Sequence, residues 1–596
     1  MRYLAITVLA TITLYYELYV GGSVSTLILN NLSASFTFFA VTTALGSLVG
    51  AFGSLLAGLA DRFGRANLVV FGLFFAAIFV EFLLPLATSK WTFAIEGFIV
   101  GFVEGICLVA TPALIRDFSP QVGRATAMGF WTSGPVLGSL IVSIVGTVTI
   151  PTVIHNTHFW THEYRICGVA GIVVFLIAFF FLRELSPQLR DQTMVTMRDR
   201  ALIEARASGF DIEAALRNPF RQLIKPDIVI SAFAISVFLL IYYAAVGFLT
   251  IYMTTAFHFT LNQANSLANW EWGANAVTVV LVGVFSDKVR VRKPFMVFGA
   301  TAGIVMTILF LLQFGHQPSY TTMAVILLLS SVSLGIAYVA WMASFTENIE
   351  ARNPALIATG LAIWGWIIRI VVCVSSLLIP VVITSVTPLV SYGTTTATYF
   401  AQYKTQFEWA QAHPKIVDEA QLYAPQLALY TKYAPELNFE LKNGALLAQA
   451  SKYNAATIPP KLEAKLIAAA GGGSKGEQLL ISIGAHQVQL NAIIASAGAL
   501  QQLQPYAAQL TALSKVPPAA AAFVSEHATA VETAQAQAAG QWKHWWYVCL
   551  GGIIFFLFSI PLMRGRWSPA AARRDEAEHE AMVQAEMAKL GVPQDA

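Results

Sequence analysis

Twelve stretches of this sequence are each long and apolar enough to cross a lipid bilayer as a helix. They run at roughly 4–28, 36–60, 67–88, 92–115, 124–148, 166–182, 228–254, 265–286, 295–314, 321–345, 355–386 and 544–563. A helix needs about 20 apolar residues to span hydrocarbon. Inside lipid its backbone groups find partners only within the helix itself. The chain has 596 residues, of which 56% are hydrophobic and 12% charged. A soluble domain carries about 25% charged residues. This composition excludes an ordinary soluble enzyme, a disordered chain and a nucleic-acid binder built on a basic surface. The 36 basic and 33 acidic residues nearly balance, so no polyanionic partner is implied. Only Arg2 precedes the first stretch and no small-residue cleavage site closes it, so it reads as a retained helix. Cys107, Cys167, Cys373 and Cys549 lie far apart in apolar stretches and read as core thiols, not as a disulfide framework or a zinc site.

Orientation follows from the basic residues, which concentrate on the cytoplasmic side of membrane proteins. With the N-terminus inside, 23 of the 36 fall on inner segments, and only Lys90 and Arg165 fall in short outer loops. Ten lysines between 404 and 543 occupy one long outer segment, and Arg369 lies within a span. An even number of spans with both termini cytoplasmic accounts for this split.

The spans divide six and six. Residues 1–183 read as an N-terminal six-helix bundle, 184–227 as a charged cytoplasmic linker with helical periodicity, and 228–386 as helices 7–11. Residues 387–542 read as an extracytoplasmic insertion, 543–563 as helix 12 and 564–596 as a cytoplasmic tail. The insertion is rich in Ala and Gln, good helix formers, and is broken by Pro and Gly. It reads as an all-helical domain, a spacer or cap, or else a docking module for a partner. The expected fold is therefore an all-α membrane protein of two six-helix bundles with an all-helical insertion. Weak duplication supports the 6+6 division. Asp61 in "GLADRFGR" and Asp287 in "GVFSDKVRVRK" are 226 residues apart, and Tyr15-Tyr16 and Tyr242-Tyr243 are 227 apart.

The box Gly58–Arg65 between spans 2 and 3 and its relative after span 8 resemble the major facilitator superfamily. So do the 6+6 layout and "SGPVLGS" in span 5, with Gly134, Pro135 and Gly138. Ala57 and Ala66 depart from the usual box, and span 4 lacks a mid-helix Arg. The resemblance implies alternating access. It also implies gating roles for Asp61, Arg62, Gly64, Arg65 and Asp287, with Glu347, Glu350 and Arg352 as charge partners. Apart from the resemblance, an Asp beside helix ends can bond a helix N-terminus and pair with a base. Gly134, Pro135 and Gly138 read either as a packing face with a bend or as a gate.

An ionisable group at mid-bilayer costs about 2.5–3.5 kcal/mol on insertion scales, so each invites a functional reading. Glu17, Glu104, Glu271 and Arg369 lie near the centres of spans 1, 4, 8 and 11. By the resemblance all four belong to helices that line or flank a central cavity. The acids, with Tyr16 beside Glu17, are candidates for proton coupling or substrate binding. Arg369 stays charged and either anchors a substrate carboxylate or pairs with one of the acids. His155, His158 and His162 read as a wet loop, not as a metal site.

The expected function is a secondary active transporter in the cell membrane that moves a small organic solute, with a slight preference for an organic acid, coupled to protons. Proton-coupled efflux of drug-like or cationic solutes remains open. So does a receptor or scaffold whose working part is the outer helical domain. No catalytic set, metal spacing, P-loop or cofactor motif is legible.

Overall fold

The computed structural model describes residues 2–55, 64–118, 131, 133–151, 157–183, 223–350, 357–453 and 457–589. Asp61, Arg62, His155, Arg352 and most of the charged linker lie outside the described residues. Every regular element among those described is helical. The chain divides into two compact units, Met1–Gly393 with Ala530–Ala596, and Thr394–Thr529.

The first unit contains α1 (Arg2–Ser23), α2 (Phe36–Leu55), α3 (Arg65–Ile78), α4 (Lys90–Phe118), α5 (Gly134–Thr149) and α6 (Trp160–Phe181). It continues with α7, in two pieces (Pro226–Phe238 and Leu240–Thr255), α8 (Leu261–Val289), α9 (Lys293–Leu311), α10 (Tyr320–Glu350) and α11 (Ile357–Val382). α12 (Pro518–Ser559) contributes to both units. Nine of the described helices meet the length and apolarity needed to cross a membrane: α1–α3, α6, α7 and α9–α12. The other three are α4 and α8, each with a central glutamate, and α5, which is apolar but shorter. Together they form the all-α membrane fold expected from the apolar pattern.

Local chemistry sets several helix ends. Thr260 Oγ1 accepts the Gln263 amide, and the Gln263 side chain accepts the Thr260 amide, so two otherwise unpaired donors at the start of α8 are satisfied reciprocally. Gly64 precedes α3 with φ +90°, a conformation that β-carbon sterics deny to most residues. Pro135 lies in the first turn of α5, where its missing N–H leaves no hydrogen bond unmade. It starts the described helix and does not bend its interior.

With no water to expel in lipid, helices associate by close packing of small residues. A methyl at Gly105 of α4 would overlap the Gly50 carbonyl of α2, and one at Gly53 would lie 2.5 Å from the Phe102 carbonyl. In the N-terminal half α1 packs on α4, α5 and α6, and α3 on α4 and α6. The C-terminal half is cemented by aromatics. Phe310 and Trp546 have ring centroids 4.4 Å apart, Tyr252 and Trp542 5.4 Å, and the Trp542 indole donates to Thr255 at 3.2 Å. Among the described residues the halves meet chiefly where α1 packs on α7, α2 on α11 and α5 on α8.

The second unit is a series of short helices, most of them nine to thirteen residues long, around a core of Tyr433, Leu437, Leu466, Ile483, Leu490 and Ile493.

Candidate functional site

Successive residues of a helix are about 100° apart, so Tyr15 and Tyr19 share one face of α1 while Glu17 points to the other. The structure follows this division. The Tyr15 and Tyr19 ring centroids lie 5.5 Å apart, and Tyr15 is within electrostatic reach of Tyr243 on α7 and Arg369 on α11. Arg369 itself is half-buried between the influence of Tyr15 and Tyr243. Tyr338 of α10 approaches the same two tyrosines. Tyr242 lies 5.2 Å from Tyr243 and 5.3 Å from Trp272 of α8, ring to ring. One permanent cation thus sits among phenols drawn from both halves. Phenols donate hydrogen bonds and guanidinium presents a planar fork of donors, a combination matched to a carboxylate or a similar anion.

Beside this cluster a polar seam joins the halves. Ser25 Oγ lies 2.9 Å from Thr250 Oγ1, which donates to the Gly22 carbonyl at 2.7 Å. On α8, Asn262 donates to the Thr147 and Ile150 carbonyls at 2.7 and 2.9 Å. Asn265 donates to the Ser23 carbonyl at 3.0 Å, and Asn269 to Thr147 Oγ1 at 2.9 Å. All these bonds lie where α1, α5 and α7 end and α8 begins. A small cavity of about 30 Å³ sits against the seam, lined by Tyr19, Ser139, Ser143, Thr250, Asn265 and Trp272 among others. That is room for about one water molecule, not for an organic solute.

Glu17 and Glu104 lie elsewhere. They are 4% and 1% exposed, within electrostatic reach of each other, and none of their four carboxyl oxygens has a hydrogen-bond partner among the described residues. A methyl at Gly171 of α6 would overlap Glu17 Oε1 and crowd Ala77 of α3, so this carboxyl is seated inside the N-terminal half. Cys107 and Cys167 stand near both acids. Glu104 is also within reach of Tyr15, the one residue in touch with both groups. Tyr16 is 4% exposed in the N-terminal core with Trp160, Tyr164 and Cys167, and does not join Arg369. Glu271 belongs to the C-terminal half: its carbonyl accepts from Ser331 of α10 at 2.7 Å, and its carboxyl is near Tyr252. Among the described residues the four central charges therefore have different neighbours: Glu17 and Glu104 each other, Glu271 Tyr252, and Arg369 the tyrosines.

Among the proposed gating residues, Gly134 and Gly138 bring α5 against α1. A methyl at either would approach Thr11 Cγ2 to 2.8 Å or Tyr15 Cβ to 2.6 Å. Asp287 Oδ1 accepts from Arg292 Nη2 at 2.6 Å, and Glu347 Oε1 accepts from the same guanidinium at 2.7 and 3.0 Å. Arg292 also donates to Ser286. Burial alone would lower the Arg292 pKa, but the bonds and charges of Glu347 and Asp287 outweigh it and hold the pKa above its ordinary value. Gly64 and Arg65 stand at the start of α3. Among the described residues no group of His, Cys, Asp and Glu could hold a metal ion.

Of the central cluster, only Arg369 was singled out as a site residue from sequence. The missed residues are Tyr242, Tyr243, Tyr338 and the three asparagines; Tyr15 and Tyr19 stand beside the candidate Glu17 in sequence but lie on the Arg369 side of α1. Spacing carried a signal for two sets: Tyr15 and Tyr19 at i, i+4, and Asn262, Asn265 and Asn269 at i, i+3, i+7.

Comparison with known proteins adds the following. A family model described as Major Facilitator Superfamily matches residues 6–376. YncC of Bacillus subtilis (strain 168), whose name assigns it to metabolite transport, is 26% identical over 136 residues, 23% of this chain and 29% of its own. Probable anion transporter 3, chloroplastic, of Oryza sativa subsp. japonica is 22% identical over 242 residues, 39% of this chain and 44% of its own. The chain thus spans less than half the length of these curated relatives. The crystal structure of a D-xylose–proton symporter is similar at 16% identity, covering 63% of this chain and 96% of that one, with a TM-score of 0.47.

Proposed function

The chain belongs to the Major Facilitator Superfamily, and from that premise we propose that it is a secondary transporter for a small organic anion, working by alternating access of its two halves. One observation carries the reading: Arg369 stands among tyrosines contributed by both halves. A carboxylate held there would touch both halves at once, so its binding energy would differ between the two facings. Only such a difference can shift a conformational equilibrium. The printed names of the relatives, for metabolite and anion transport, agree with this class.

Placed in the cell membrane with both termini inside, the asparagine seam is the closed outer gate. The Asp287–Arg292–Glu347 group, with Asp61, Arg62, Gly64 and Arg65, belongs to the inner gate. Gly134, Pro135 and Gly138 keep α5 moving with α1 as one body. Glu17 and Glu104 are the proton-carrying pair. Two buried like charges cannot both stay ionised without a counter-charge, so the pair holds at least one proton when sealed. Tyr15 lies between the pair and Arg369 and connects proton and solute. A cationic solute is the weaker reading, because the acids it needs lie inside the halves.

The test is uptake into proteoliposomes of a panel of mono- and dicarboxylates, alongside thermal shift of the purified protein. At least one carboxylate should raise the melting temperature and be concentrated when the trans side is alkaline. Arg369→Ala should abolish both effects. Stabilisation by amines alone, unaffected by Arg369→Ala, would overturn the anion assignment. Flux indifferent to the pH gradient would overturn proton coupling.

A further inference from the structure

The second unit breaks its helices at a fixed interval. Tyr403, His413, Tyr423 and Tyr433 each separate two helices, and Asn443 interrupts the helix Ala434–Ala450. On the return path His486, Ser496 and Tyr506 do the same. Successive breaks are ten residues apart on both runs. Their backbone angles agree: φ/ψ is −121°/35° at Tyr403, −110°/25° at Tyr433, −115°/21° at His486 and −105°/8° at Tyr506. The residue four places after a break is apolar and turned inward: Phe407, Val417, Leu427 and Leu437 on the first run, Leu490 and Leu500 on the second. In all six the amide of that residue donates to the carbonyl of the break residue, at 2.8–3.1 Å.

Helical geometry explains why a break is needed. Ten residues of regular α-helix turn about 1000°, which is about 80° short of three full turns. A ten-residue apolar pattern on an unbroken helix would drift off its partner within two repeats. One non-helical residue per repeat resets the phase, so the apolar position returns to the same side.

The two runs face each other in register. Lys404–Ala412 packs on Ala507–Ser514, Pro414–Leu422 on Ala497–Leu503, and Ala424–Lys432 on Gln487–Ala495. The breaks themselves meet. The His413 and Tyr506 rings lie 5.6 Å apart, and the Tyr433 and His486 rings 4.5 Å. Each step of ten along one run is matched by a step of ten back along the other.

We propose that residues 403–443 and 486–515 are two runs of a tandem ten-residue repeat zipped into a hairpin arm, whose length is set by its number of repeat pairs. Each repeat contacts the one across from it and its neighbours along its own run, so stability is a sum over neighbouring repeats. Removing one repeat from both runs shortens the arm and preserves its packing. Removing one from a single run throws every pair beyond it out of register.

The experiment uses the full-length chain, purified in detergent, with introduced cysteines probed by a short bis-maleimide cross-linker and peptide mass spectrometry. In the intact chain, Tyr423→Cys with Ser496→Cys should cross-link, and Tyr423→Cys with Tyr506→Cys should not. Deleting 413–422 together with 496–505 should bring 423 and 506 face to face, so that this pair now links, with helical content per residue unchanged. Deleting 413–422 alone should abolish the link between cysteines at 403 and 516 and create one between 403 and 506. Absence of the 423–496 link in the intact chain overturns the register whatever the deletions do. Unfolding of the paired deletion, or survival of the 403–516 link in the single deletion, overturns the modular arm. None of these readouts depends on transport.

Discussion

α1 presents two polar faces with different surroundings, one half-buried and one buried. On one side Tyr15 and Tyr19 meet residues of the other half and Arg369. On the other, Glu17 is sealed against Gly171 and Ala77 within its own half. The first face can change its contacts when the halves move, because its partners lie across the boundary. The second cannot, because its partners move with it. A group that must sense the facing state belongs on the first face. A group that must keep a proton dry belongs on the second, with one link to the first. What decides their roles is whether the surrounding helices belong to one moving body or to two.

That contrast can be broken most decisively at Arg369. Arg369→Ala should lower carboxylate uptake by at least 100-fold and remove the ligand-induced thermal shift, whereas Arg369→Lys should retain binding but lose affinity, since it keeps the charge without the planar fork. Unchanged uptake by Arg369→Ala would mean that the boundary cluster is not the binding site.

Glu17→Gln and Glu104→Gln test the sealed face. Accumulation driven by a pH gradient should fall about 100-fold or more, by the scale usual for lost proton-transfer groups. Exchange of solute for solute, which needs no net proton movement, should persist. Equal loss of both activities would place the acids in the solute site after all.

Gly171→Leu separates packing from chemistry. The added side chain must displace the Glu17 carboxyl, and overpacking of this kind costs about 1–3 kcal/mol. A lowered melting temperature should accompany lost proton coupling, while the Arg369-dependent thermal shift survives.

Asn265→Ala should weaken the seam by about 1 kcal/mol, the usual net value of a neutral hydrogen bond. The shift should appear as faster maleimide labelling of a cysteine placed at Ser143, on the cavity wall. Slower labelling would contradict an outer gate. The smallest effect is expected at Glu347→Gln. Glu347 is 53% exposed where it meets Arg292, and a surface ion pair contributes about 0–1 kcal/mol. Its melting temperature should hardly move, so any transport defect would reflect the conformational cycle.

Much of this molecule was legible beforehand. The apolar stretches located the helices because lipid leaves a spanning backbone no other choice. Span 5 is expected from residue 124; residues 119–130 and 132 lie outside those described, and its described helix runs Gly134–Thr149. In the candidate site, the charged residues stand out because each is costly in oil, while nothing in the sequence links the tyrosines to Arg369, since tyrosine is ordinary at membrane interfaces. In the insertion the sequence shows "YAPQL" and "YAPEL" ten residues apart. Their continuation as a repeat is hidden because four of the other breaks, His413, Asn443, His486 and Ser496, replace the tyrosine.

What the sequence alone determined is the number of helices, the family and the residue types that lipid makes expensive, all properties of single segments. What only the tertiary structure decided is which buried group faces which neighbour. Glu17 and Tyr15 are two residues apart, and hydropathy assigns them to one span. Their roles separate because a helix turns 100° per residue, and because the neighbours on each side are brought there by chain hundreds of positions away.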